Sequence, residues 1–525
     1  MTRAGPRGCA LDWTAGYVSE VEYTHGYYRE LAPGFTDFGL LLGGFAPPAR
    51  SGMRYLELGY GQGLSANIHA AACPGEFWGT DFNPVHASNA QSLAAVSGAN
   101  AHFSDDSFAD LLDRKDLPDF DQIALHGVWS WLSDSNRAAI VEILRRRLKV
   151  GGICYISYNT LPGWAMAMPL RHLMTLHAET AGSEAQGVFA RINASIAFGQ
   201  TVADAQARYF VDNPGAKGRL GSISGENRNY LAHEYFNRDW KPMYFSEVHD
   251  VLAQAKLGFA CSASPIEQMD GFSLTPAQAS ILGDLHFGAL RESVRDYMVN
   301  QQFRKDLYTR GARRLSRLEQ VERMDAQRMA LLVNANDIVL EIQTALGPMS
   351  LQKNVYEPVL EALSSTNGTV RTIGEMGQDT AVAALPPGAL VEVLAVLVGA
   401  GFVHPAQTEA DIATAVPRTD ALNAHLIERS RISANVTWLA SPVIGGGVPV
   451  GQFEQMFLGA RSRNAKTPSD WAGAVWRDLE KQNKAVVRNG VVLEGAEANI
   501  KDLTAQAKAF SDSRLPQLKR LGVAA

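Results

Sequence analysis

Nine residues, Tyr55-Leu56-Glu57-Leu58-Gly59-Tyr60-Gly61-Gln62-Gly63, constrain this chain more than any other stretch. An apolar strand runs into a turn with glycine at alternate positions, and a helical pattern begins at Leu64. A second short apolar run, residues 77–79, leads to an acid, Asp81. A doubly wound parallel sheet builds a nucleotide site in this way. Glycines let the backbone approach the ligand, the helix N-terminus presents free N–H groups, and the acid accepts from ribose hydroxyls. Later segments continue the alternation of strand and helix. Residues 101–103 predict a third strand, 120–126 a fourth and 153–157 a fifth, entered through the turn Lys149-Val150-Gly151-Gly152.

The spacing separates three kinds of nucleotide site. A dinucleotide fingerprint needs Gly-x-Gly-x-x-Gly, and a phosphate loop needs Gly-Lys-Ser/Thr. Here the pattern is Gly-x-Gly-x-Gly with Glu57 two residues ahead of the first glycine. That pattern resembles motif I of class I S-adenosylmethionine (SAM) methyltransferases, and the resemblance implies a Rossmann-like core. SAM has no pyrophosphate, so the loop need only hold an amino-acid carboxylate and leave room for a sulfonium, whose charge Glu57 favours. Ser104-Asp105-Asp106-Ser107-Phe108 follows the third strand, where an acid can bond the adenine amino group and Phe108 can cover the ring.

At 525 residues the chain is too long for one core, and two to four domains are expected. Hydrophobic residues at 46% and charged residues at 19% are those of a soluble globular protein. The net charge of −6 argues against a broad nucleic-acid footprint. Cys9, Cys73, Cys154 and Cys261 are scattered without metal-ligand spacing, so no metal is expected and a reduced, cytoplasmic setting is the simplest reading. No apolar stretch follows Arg3 and Arg7, so no signal peptide is read. The most apolar window, residues 389–403, is short and reads as a buried helix, so no membrane span is expected.

Five regions are expected. Residues 1–50, with Tyr17, Tyr23, Tyr27 and Tyr28 around His25, form an N-terminal lid over the cofactor or a helix packed on the sheet edge. Residues 51–270 form the catalytic core, with a helical insertion at about 165–235. Residues 271–345 form a mainly helical linker, dimerisation or regulatory region with a basic patch from Arg304 to Arg317. Residues 346–440 suggest a winged-helix-like domain that contacts protein, and 441–525 a C-terminal domain. The run Ser441-Pro442-Val443-Ile444-Gly445-Gly446-Gly447 reads as a tight structural turn.

Two loops are unusually aromatic, and both follow strands at the ligand end of the sheet. They are His126-Gly127-Val128-Trp129-Ser130-Trp131 and Ser157-Tyr158-Asn159-Thr160-Leu161-Pro162-Gly163-Trp164. Methyl transfer is an in-line displacement in which the protein mainly aligns the nucleophile and excludes water. For a lysine amine, burial against Trp129, Trp131, Tyr158 and Trp164 disfavours the ammonium form, and the rings stabilise the methylated cation. Oxygens of Ser157 and Asn159 can orient an amine, and His126 can accept a proton or hold its loop. The fourth-strand loop lacks Asn/Asp-Pro-Pro-Tyr/Phe, which lowers the case for base or glutamine amide methylation.

The two loops also resemble signature segments of bacterial SAM methyltransferases with a methyltransferase regulatory domain. Similar segments recur at His233-Glu234-Tyr235-Phe236, Pro242-Met243-Tyr244-Phe245, Arg295-Asp296, Phe303-Arg304 and 441–446, so the likeness spans most of the chain. The best-known relatives are rickettsial lysine methyltransferases of an outer-membrane surface protein. The resemblance implies a Rossmann core, a dimerisation region, a middle domain and a C-terminal domain, and so a homodimer. It places SAM on Glu57, Gly59, Gly61, Gly63, Asp81, Phe82, Asp105, Asp106, Ser107 and Phe108. It places the acceptor on His126, Trp129, Trp131, Tyr158, Asn159 and Trp164. Tyr60 departs from the small residue or cysteine of many relatives, and its side chain is expected to point away from the ligand. His233-Glu234-Tyr235 either lines the acceptor pocket or anchors the insertion to the core.

Three functions follow. The first is N-methylation of lysine in a bacterial surface or exported protein, because the extra domains offer a platform that a small molecule does not need. The second is methylation of a small molecule or glycan. The third is a non-catalytic SAM-binding scaffold.

Overall fold

The computed structural model describes residues 25–181, 187–286, 288–364 and 370–524. Tyr17, Tyr23 and Cys9, with the rest of residues 1–24 of the expected lid, lie outside the described residues.

The centre is a seven-stranded sheet. Its strands are β1 (Arg54–Leu58), β2 (Glu76–Thr80), β3 (Ala101–Ser104), β4 (Phe120–Leu125), β5 (Leu148–Asn159), β6 (Leu257–Ser262) and β7 (Phe303–Arg310). Their order is β3-β2-β1-β4-β5-β7-β6, with β7 antiparallel to both neighbours. The helices that pack on this sheet or lead into it are α1 (Pro33–Leu42), α2 (Leu64–Ala72), α3 (Pro84–Ser97), α4 (Phe108–Asp113) and α5 (Asp134–Arg147). Strand order reverses between β1 and β4, which opens a crevice at their C-terminal ends. This is a Rossmann-like methyltransferase architecture followed by a mainly helical C-terminal half.

The central strands are apolar because both faces are covered. Leu56, Leu58, Ile123 and Leu125 face one helix layer, with Trp129, Ile140 and Leu144. Tyr55, Ala124, Ile153 and Tyr155 face the other side. Every residue of α2 is buried. One side of α2 meets the sheet, and Leu64, Ile68 and Ala71 join Leu422, Leu426 and Leu439 of the C-terminal part in one cluster.

The sheet does not close near residue 270. It takes in β7, from a region read as helical and basic. In β7 two charged residues, Arg304 and Asp306, are interior: Arg304 donates to Asp296 (2.6 Å), Glu292 (3.0 Å) and Asp306 (2.9 Å), and all four are buried. A buried guanidinium persists because three carboxylates surround it. Five helices between Met168 and Tyr235 form the insertion. Beyond β7, the strands Arg328–Leu331, Val370–Thr372 and Val403–Pro405 form a small antiparallel sheet beside the helices Lys353–Ser364 and Ala389–Ala400. The chain ends in helices around the hairpin Trp438–Ser441/Gly446–Pro449.

Candidate active site

The turn after β1 is left-handed at each glycine. φ is 75° at Gly59, 58° at Gly61 and 74° at Gly63. At Gly59 a Cβ would stand 2.6 Å from Val128 Cγ2, and at Gly63 it would stand 2.5 Å from Ala90 Cβ. Only glycine meets both demands. Gly63 precedes α2, so the turn delivers its backbone to a helix N-terminus.

Three carboxylates converge on the same cleft. Glu57 lines it from β1 and accepts from the Tyr55 hydroxyl at 3.1 Å. Burial raises the Glu57 carboxyl to about 7; the Tyr55 hydrogen bond opposes this and the nearby Asp81 charge adds to it. Asp81 accepts from Gly61 N (2.9 Å), Asn83 N (3.1 Å) and His86 Nδ1 (3.0 Å). It therefore fixes the glycine turn as well as lining the cleft. Asp106 accepts from Ser104 Oγ (2.7 Å) and Arg114 Nη1 (2.9 Å). Phe82, Ser107 and Phe108 complete this end. Asp105 is exposed and does not line the cleft, because the chain turns it outward before α4. Tyr60 is among the lining residues, while its ring packs into a cluster with Ala66, Ala90 and Ala94. Its ring meets Phe103 edge-on (5.2 Å) and its hydroxyl donates to Ser104 O at 2.8 Å.

The enclosed space of the cleft is about 180 Å³. Its far end is formed by His126, Gly127, Val128, Trp131, Leu132, Ser133, Asn136 and Asp239, with Gly26 and Tyr28 across from them. His126 Nδ1 lies 2.8 Å from the Tyr155 hydroxyl and 3.3 Å from Ser157 Oγ. Its ring stacks on Tyr28 at 3.9 Å. Burial lowers the His126 imidazole to about 4, so it is neutral at pH 7.

The six residues expected at the acceptor divide. His126 and Trp131 line the cleft. Trp129 is fully buried between sheet and helices. Tyr158 lies on the face of β5 opposite Tyr155 and Ser157, as the two-residue period of a strand requires, and its hydroxyl donates to Asp306 at 2.8 Å. Trp164 belongs to the core of the insertion, against Trp240 (5.1 Å) and beneath the Arg219 guanidinium. Asn159 is buried, its N–H donates to Ser130 Oγ at 2.9 Å, and its Nδ2 has no hydrogen-bond partner among the described residues. His233 is buried in the insertion, where Asn237 Nδ2 donates to its carbonyl, and it does not line the cleft. Asp239, His86 and Asn136 are cleft residues that the sequence did not single out. Tyr28 carried a signal only as part of the tyrosine-rich N-terminal segment.

Among the described residues no cluster of His, Cys, Asp and Glu is arranged to hold a metal. No described helix is long and apolar enough to cross a membrane.

A Rossmann-like sheet, a left-handed glycine turn and three carboxylates at its switch point make up the site of a SAM-dependent methyltransferase. Residues 56–152 match the methyltransferase domain model, and residues 227–310 match the predicted methyltransferase regulatory domain. The chain is 38% identical over 516 residues to the uncharacterized protein sll1526 of Synechocystis, covering 98% of this chain and 100% of that one. It belongs with sll1526 to the family of methyltransferases that carry this regulatory domain. The protein RP789 of Rickettsia prowazekii is 28% identical over 279 residues, 52% of this chain and 49% of its own. PKMT2 from Rickettsia typhi, solved in complex with AdoHcy, has the same fold over 96% of this chain and 100% of its own (TM-score 0.69, 18% identity).

Proposed function

We propose that this enzyme transfers a methyl group to the amine of lysine side chains in a protein, a bacterial surface or exported protein being the substrate class the sequence favours. The observation that carries the reading is the lining of the cleft. It holds Glu57 beside the glycine turn and, beyond it, the aromatic rings of Tyr28, His126 and Trp131 and the carboxylate of Asp239, with no Lys or Arg among its described lining residues. Such a wall favours cations, both a sulfonium and an ammonium, and repels anionic acceptors. The likeness of fold to PKMT2 supports the same reading.

SAM, when bound, supplies an electrophilic methyl group. Glu57, Asp81, Asp106 and Phe108 are the residues that would hold it. Asp239, a lining residue that also pairs with Arg238 at 3.6 Å, draws in the ammonium, and Trp131 shields it from water. His126 does not take the proton. A base of pKa about 4 is far from matched to an ammonium near 10.4. It holds the Tyr28 ring in place instead, and the amine loses its proton to solvent at the mouth before its lone pair attacks.

The test is transfer from radiolabelled SAM to an extract of the host, separated into protein, glycan-plus-lipid and small-molecule fractions. Label in a protein band, lost with Asp81→Ala and recovered in methyl-lysine after hydrolysis, is expected. Label confined to the other fractions overturns the lysine reading.

A further inference from the structure

We propose that Tyr27 is a positioning residue for the methyl-transfer cleft, and that the C-terminal part of the chain holds it in place. Its neighbours Gly26 and Tyr28 are cleft walls. The Tyr28 amide donates to Ser65 Oγ at 2.9 Å, and that hydroxyl donates to Gly26 O at 3.3 Å. Tyr27 itself is buried away from the cleft.

The Tyr27 ring is enclosed on three sides. Its hydroxyl lies 3.2 Å from His69 Nε2 on α2. Trp438 packs against it at 4.8 Å. The hairpin glycines close the third side: a Cβ on Gly446 would stand 2.6 Å from the Tyr27 hydroxyl, and one on Gly447 would stand 2.9 Å from the ring. The hairpin is built of glycine here because a tyrosine from the other end of the chain occupies the space. The helix Glu409–Arg429 reinforces the arrangement by a second route. Arg429 lies 3.4 Å from His25 Nε2 and donates to Asn89 Oδ1 at 3.3 Å, and Asn89 Nδ2 donates to Gln62 O in the glycine turn at 2.7 Å.

Tyr28 stacks on His126, so the angle at which Tyr27 is clamped sets where that stack closes the cleft. With Tyr27 released, Tyr28 loses the anchor one residue before it, while the segment keeps its bonds to Ser65, the Arg429–His25 contact, the Arg29 bonds to Val398 O and Gly399 O, and the stack itself. Loosening of that wall is expected to weaken cofactor binding by up to roughly tenfold. The inference holds whichever acceptor is methylated.

The experiment uses the full chain and S-adenosylhomocysteine, titrated by calorimetry at a temperature where circular dichroism shows every variant folded. Tyr27→Ala attacks the clamp from the N-terminal side, and Gly447→Ala attacks it from the hairpin. Tyr27→Phe keeps the ring. Phe510→Leu loosens the C-terminal core away from the clamp. Tyr27→Ala and Gly447→Ala are expected to bind about tenfold more weakly, with Tyr27→Phe within about twofold of the parent. Phe510→Leu should keep the parent affinity at a matched loss of thermal stability. Parent-like binding by Gly447→Ala overturns the proposal, as does equal weakening by Phe510→Leu. Should Tyr27→Ala fail to fold, Gly447→Ala decides the question alone.

Discussion

Glu57 and Asp81 stand beside the same glycine turn, and the structure gives them different tasks. Asp81 accepts from two backbone N–H groups and the His86 ring, which leaves it acceptor capacity for a ligand hydroxyl. Charged hydrogen bonds of this kind contribute about 1.5–3 kcal/mol each. Asp81→Ala should therefore weaken S-adenosylhomocysteine at least tenfold in a calorimetric titration, through the turn as much as through lost ligand contacts. Glu57 has one hydroxyl partner and is pushed up to about 7 by burial. Its carboxyl is held neutral below that pH and ionises above it. A sulfonium favours the ionised form, so affinity for SAM should rise between pH 6 and 8, by no more than about tenfold per unit. S-adenosylhomocysteine, without the sulfonium charge, should show a smaller rise. In Glu57→Gln the difference between the two ligands should vanish. An equal slope for both ligands in the parent would remove Glu57 from the cation site.

At the scale of elements, β7 carries the lesson about what a sequence discloses. Strands β1 to β4 were legible because each is a short run bounded by turn residues, which local chemistry decides; of the twelve residues of β5 only 153–157 were read, because Lys149-Val150-Gly151-Gly152 looks like a turn yet continues the strand. Phe303–Arg310 is instead rich in charged residues. Its buried residues include Arg304 and Asp306, which look like a solvated patch until Glu292 and Asp296 arrive from a helix to neutralise them. That pairing is tertiary and leaves no trace in the local pattern. The aromatic loops misled for a related reason. Trp129, Tyr158 and Trp164 sit where a cage belongs in sequence, but strand periodicity and the pull of large rings into cores placed them elsewhere. Asp239 reaches the cleft from a loop after the insertion, too remote for spacing to reveal. The ion cluster predicts its own test. Removing the guanidinium in Arg304→Met leaves three buried carboxylates facing one another and should cost about 3–5 kcal/mol, read as a lowered denaturant midpoint. Changing Arg313, which pairs with exposed Glu319 at 2.8 Å, should leave that midpoint close to the parent's.

Across the whole molecule, the regulatory-domain match includes β6 and β7, so that region is part of the catalytic sheet rather than an attachment to it. The C-terminal part is equally integral. Arg418 donates to Ala71 O and Cys73 O, and Gln407 donates to Ala72 O, so the last carbonyls of α2 are satisfied from more than 330 residues away. A chain ending at residue 405 would bare the outer face of α2 and lose these donors. It is expected to elute as aggregate on size exclusion, and a monodisperse truncation with parent thermal stability would show that the core needs no cover.

The bond from Cys73 Sγ to Gly445 O, at 3.0 Å, spans 372 residues. Translation at about 5–20 residues per second puts roughly 20–75 s between the synthesis of those two partners. Through that interval the nascent chain carries a finished glycine turn on a helix whose outer side is still uncovered. The outer face of α2 is covered only once the last quarter of the chain has been made, and an uncovered apolar face of this kind is what makes a nascent chain prone to aggregate.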